Sequence, residues 1–66
     1  MKEITTIHFT DAESGGEALM IVRAQEGLIG LALSLSDDGD VEVFFGVTEC
    51  KRLLEALQEA ERTATE

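Results

Sequence analysis

The sequence predicts an α+β domain in which four antiparallel strands form a meander and one C-terminal helix packs on one face of the sheet (ββββα). Before residue 47, apolar residues alternate with polar or small ones, which is the period of a strand. Two short glycine-containing turns can join antiparallel neighbours. After residue 47, apolar residues recur at the three- and four-residue spacing of a helix. The chain of 66 residues is predicted to be a single domain, 1–66.

Strands are predicted at about residues 3–10, 18–25, 28–36 and 40–47 from these alternations. In the first strand Thr5, Ile7 and Phe9 share one face. The second strand is apolar on both faces, as expected of a central strand that is covered on both sides. The third strand alternates large apolar residues with small ones, which would leave its second face flat. The fourth strand places its valines on one face.

The turns and the helix follow from local residue chemistry. Gly27 can adopt positive φ in a short hairpin, and Asp38-Gly39 is predicted to be the centre of a second hairpin turn. Thr48 is the predicted N-cap of a helix over about residues 48–62. Its apolar residues fall at i, i+3, i+4 and i+7 and form one stripe: Cys50, Leu53, Leu54 and Leu57.

A single helix covers only one side of a four-stranded sheet, so the other side is predicted to stay open. We expect the open face to include Ile4, His8, Met20, Val22, Leu28, Ala32 and Phe44. Open apolar patches usually mark contact sites. We therefore expect a homodimer that forms through this face or by pairing of edge strands. The alternative is a monomer whose open face is half polar, as in many antiparallel sheets.

Charge and composition restrict the classes of partner and cofactor. Fourteen acidic residues face five basic ones, for a net charge of −9, which disfavours binding to nucleic-acid phosphates and favours basic protein partners. A single cysteine and a single histidine exclude an internal disulfide and a Cys/His zinc site, and we expect no cofactor. No apolar run could span a bilayer, and the N-terminus does not resemble a signal peptide, so we expect a cytoplasmic protein without membrane contact.

Four features could carry chemistry, and each has a simpler structural explanation. His8 is the only histidine, the residue type whose ordinary pKa lies nearest neutral pH, but no second catalytic group accompanies it, so we expect a surface or interface histidine and not an enzyme. Cys50 could be activated by the helix N-terminus, but it also begins the apolar stripe. The acidic residues 37–42 lack the spacing of a calcium loop, and Gly15-Gly16 lacks that of a phosphate-binding loop.

The order of four meandering strands and a C-terminal helix resembles the repeat of the Pur-alpha family and the core of the PC4-like single-stranded-DNA binders. The resemblance covers nearly the whole chain, but it is one of layout and not of a motif. It implies a nucleic-acid-associated regulator as one alternative function. A second alternative is an acidic inhibitor of a basic partner. The function that we expect first is a small acidic, non-enzymatic protein-interaction domain.

Overall fold

The computed structural model describes all 66 residues and confirms the ββββα order. The strands are β1 (Lys2–Thr10), β2 (Glu17–Gln25), β3 (Leu28–Leu35) and β4 (Gly39–Phe45), and the helix is α1 (Val47–Thr65). The strands form one antiparallel sheet in the order β1-β2-β3-β4, which is the predicted meander. No helix is both long enough and apolar enough to cross a membrane.

The turns between the last three strands determine which residues share a face. Gln25 pairs with Leu28, so Glu26 and Gly27 form a two-residue hairpin loop, and Gly27 has a φ of 76°. Leu35 pairs with Gly39, whose φ is 86°. The second hairpin therefore has a loop of three residues, 36–38, and is centred before the predicted Asp38-Gly39 pair.

The loop between β1 and β2 is closed by its own hydrogen bonds. Asp11 accepts a bond from the backbone N–H of Gly15 at 2.9 Å, and its own N–H donates to Gly16 at 2.9 Å. The Asp11 carboxylate also accepts a bond from the Ser14 N–H at 2.8 Å. Aspartate and glycine commonly form hydrogen bonds of this kind in turns, which explains why this polar segment folds as a loop.

The helix begins earlier and ends later than predicted. Gly46, and not Thr48, is the N-cap, and its N–H donates to Glu49 Oε1 at 3.0 Å. This carboxylate satisfies the cap in the manner of a capping box, so the chain enters the helix directly after β4. At the other end, the helix continues through residues 60–65, because this segment contains neither glycine nor proline.

The helix packs only loosely on the sheet of its own chain. No residue of α1 is buried, and the main contact between α1 and the sheet is with β3. Only Ala18 and Gly30 are buried in the whole chain. The radius of gyration is 13.2 Å, compared with about 11 Å for a compact domain of this length. The single chain is therefore an open sheet with an attached helix and has almost no core.

Candidate protein-interaction site

One face of the sheet consists almost entirely of apolar side chains, and we call it the apolar face. Residues directly opposite one another in an antiparallel ladder lie on the same face. The pairs Ile7–Met20, Met20–Leu33 and Leu33–Val41 therefore trace this face across all four strands. On β2, β3 and β4 it comprises Ala18, Met20, Val22, Ala24, Ile29, Leu31, Leu33, Leu35, Val41, Val43 and Phe45.

The apolar face is open in the single chain. Leu33, on the inner strand β3, remains 42% exposed, and Val41 and Val43 on β4 remain 55% and 50% exposed. None of the face residues on β2, β3 and β4 carries a charge. A continuous uncharged surface of this kind is typical of a contact site and unusual on an isolated small protein.

A second apolar surface lies on the helix, and we call it the helix stripe: Cys50, Leu53, Leu54 and Leu57. Leu54 and Leu57 are 55% and 56% exposed. Cys50 is half-buried and carries a free thiol. The predicted amphipathic helix is thus confirmed as a helix, but its apolar side contacts little of its own chain.

The opposite face of the sheet is mainly polar, and we call it the polar face. Arg23 on β2 forms an ion pair with Glu42 on β4, with Nη1 and Oε2 2.5 Å apart across β3. Ser34 donates a hydrogen bond to Asp40 at 2.5 Å. The polar face therefore satisfies several of its own charges and dipoles within the chain.

The polar face is also not flat where the sequence predicts flatness. The ring of Phe44 lies over Gly30, so a Cβ at Gly30 would stand only 3.0 Å from Phe44 Cε1. The Met1 methyl group would be 3.5 Å from the same position. The space above Gly30 is therefore filled by the chain itself and is not available to another surface.

The seven residues predicted to line one open face lie in different places. Met20 and Val22 belong to the apolar face. The other five lie on the polar face or, for the first of them, at the irregularity of β1: Ile4, His8, Leu28, Ala32 and Phe44. The grouping is wrong because the first part of β2 is apolar on both sides, with Leu19 and Ile21 on the polar face, so alternation alone does not match its faces to those of β3. Counting outward from a two-residue turn at Glu26-Gly27 places Val22 opposite Leu31 and would have found the match.

The residues considered for chemistry are not assembled into a reactive site. His8 lines a shallow open depression with Ser34 and Ser36. No three residues of the His, Cys, Asp or Glu types are grouped as metal ligands. Hydrogen bonding from the side chain and the backbone N–H of Ser14 holds the pKa of Asp11 below its ordinary value, which is the chemistry of a turn aspartate.

The fold and its exposed surfaces define a class of protein: a small open-sheet α+β domain with two unpartnered apolar surfaces. Comparisons with protein-family models, curated proteins and solved structures found no match. The apolar face and the helix stripe are therefore the two features of the chain that indicate a function.

Proposed function

We propose that the chain is a small acidic, non-enzymatic protein-interaction domain that self-associates as a homodimer. The open apolar face supports this proposal most directly. The single chain exposes 5265 Å² of surface, whereas a folded monomer of its mass exposes about 4,100 Å². Part of this additional surface is apolar, since side chains such as Leu33, Val41 and Leu57 are about half exposed. Burying these side chains against a partner would be favoured by the hydrophobic effect. We further propose that it acts in the cytoplasm.

Sedimentation equilibrium of the chain and of two matched variants tests the homodimer. Leu33→Lys places a charge on the apolar face, and Ser34→Lys places the same charge at the next residue, on the polar face near Asp40. We expect twice 7.2 kDa for the unmodified chain and for Ser34→Lys, and a monomer for Leu33→Lys. A monomer of the unmodified chain at high concentration, or equal behaviour of the two variants, would contradict the proposal.

The acidic polar face supports a second proposal, that a basic protein binds there. Glu3, Glu17, Asp40 and Glu42 outnumber the single Arg23 on this face, and Arg23 is already paired. A binding assay with a basic peptide of mixed sequence, repeated at rising salt, tests it. We expect binding that weakens with salt, because exposed charges are screened. Salt-independent binding, or none, would contradict it.

The nucleic-acid alternative gains no support from the arrangement of basic groups. Single-strand binding needs a basic groove with stacking aromatic rings. Arg23 is engaged with Glu42, and the Phe44 ring is packed over Gly30. A gel shift with single-stranded DNA at two salt concentrations would revive this alternative only if it showed salt-sensitive binding.

A further inference from the structure

Each copy of the chain has two apolar surfaces that need a partner, and the way they can be buried together restricts the dimer. Packing two apolar faces against each other would leave both helix stripes in water. Pairing two helices through their stripes would leave both sheets open. Docking the helix of each copy on the sheet of the other buries both kinds of surface in one arrangement.

We propose that the apolar face is covered by α1 of a second copy, and that the exchange is reciprocal about a two-fold axis. This inference rests on the proposed homodimer and specifies its interface. The contacts would join the helix stripe of one copy, centred on Leu54 and Leu57, to the apolar face of the other, centred on Leu33. A symmetric exchange satisfies both copies equally and closes the assembly at two chains.

The short connection between β4 and α1 leaves the helix where none of its residues is buried on the chain's own sheet. Gly46 is the only residue between the end of β4 at Phe45 and the start of α1 at Val47. Its N–H bonds to Glu49 Oε1 at 3.0 Å, and its carbonyl accepts the Cys50 N–H at 3.0 Å. These two bonds fix the start of the helix at the end of β4. In that orientation no helix residue is buried on the chain's own sheet.

The dimensions and the charges of the two surfaces fit each other. The helix stripe, residues 50–57, extends over about 12 Å, which is within the length of strands of eight or nine residues, about 26 to 30 Å. The charged residues of the middle of the helix, such as Arg52, Glu55 and Glu59, lie away from the stripe. Docking through residues 50–57 therefore brings no helix charge onto the uncharged residues of β2, β3 and β4, and Glu61, which continues the line of the stripe four residues beyond Leu57, must lie beyond the edge of these residues.

The area that the exchange must bury is in the range of stable homodimers. Two separate chains expose twice 5265 Å², and a folded protein of twice 7.2 kDa exposes about 6,800 Å². The difference is about 3,700 Å² of total surface, within the roughly 2,000 to 5,000 Å² that obligate homodimers bury. A second copy thus supplies a partner surface of the required size.

Disulfide trapping between unlike chains tests the exchange. One variant carries Cys50→Ala and Leu57→Cys, so its only thiol is on the helix stripe. The other carries Cys50→Ala and Leu33→Cys, so its only thiol is on the apolar face, and one of the two chains bears a mass tag. The chains are mixed, unfolded together, refolded and oxidised. A parallel set with Leu54→Cys in place of Leu57→Cys samples a second helix position.

We expect disulfides between a helix-thiol chain and a sheet-thiol chain to exceed those between like chains several-fold in at least one set. Predominant disulfides between two sheet-thiol chains would instead show face-to-face sheets, and those between two helix-thiol chains would show paired helices. Random pairing in both sets would equally overturn the exchange. The homodimer would survive all three results, because it is tested by sedimentation of the unmodified chain and of its Leu33→Lys and Ser34→Lys variants and not by the pairing of thiols. Circular dichroism of each variant verifies that it folds before it is mixed.

Discussion

Truncation of Leu57 to alanine is expected to weaken the dimer strongly while leaving the sheet of each chain intact. Leu57 is 56% exposed in the single chain, and the proposed interface removes that remainder from water. Leu57→Ala deletes about three methyl or methylene groups worth about 0.8 kcal/mol each when fully buried, which scales to about 1.3 kcal/mol per chain here. Two copies contribute, so the dimer loses about 2.7 kcal/mol and its Kd rises roughly 80-fold.

The assay for this prediction is sedimentation equilibrium over a wide range of loading concentration, with Glu55→Ala as the matched control. Glu55 lies on the same helix but away from the stripe, and its side chain is exposed. Its removal lowers the negative charge of each chain, so the control is expected to dimerise as well as the unmodified chain or slightly better. A Kd for Leu57→Ala within threefold of the control would show that Leu57 is not buried in the dimer interface.

Three further predictions concern the chain itself. Gly27→Ala should destabilise the chain by about 1 kcal/mol in urea unfolding, because alanine is strained at the positive φ of 76°; an unchanged midpoint would contradict this. The Arg23–Glu42 pair is partly exposed, so a double-mutant cycle with alanine at both positions should give a coupling free energy of at most about 1 kcal/mol. A larger coupling would contradict this prediction. Ser14→Ala should raise the pKa of Asp11 toward its ordinary value in an NMR titration, because a hydrogen bond to the carboxylate is lost. Since the folded-state pKa is the lower one, the stabilisation from Asp11 is present above its unfolded pKa and is lost as pH falls through the folded pKa; an unshifted titration in the variant would contradict the assignment.

Alternation and turn chemistry were sufficient to predict the strands, because both depend on neighbouring residues. The hairpin at Gly27 and the four strands lie within one or two residues of their predicted bounds. The helix start was less predictable, since Gly46 has no side chain to mark it as a cap. The capping interaction comes from the Glu49 carboxylate, three residues further along the chain.

An open apolar face of the sheet was predicted in kind, but not on the residues that form it. The sequence indicated a helix stripe and an apolar side of the sheet that suit each other, and both are present. Their complementarity does not depend on which copy of the chain supplies the helix, so the pattern could not decide between packing within a chain and packing between chains. That difference depends on the direction in which the helix leaves Gly46, which is a matter of three-dimensional geometry.

The exchange of helices is tested most directly by isotope-filtered NMR on the unmodified sequence. A sample is refolded from equal amounts of isotope-labelled and unlabelled chain, and magnetisation transfer between unlike chains is recorded separately from transfer within the labelled chain. We expect transfer between the methyl groups of Leu57 of one chain and Leu33 of the other, because the exchanged helix brings these side chains into contact. Transfer from Leu57 to Leu33 within one chain, with none between chains, would contradict it.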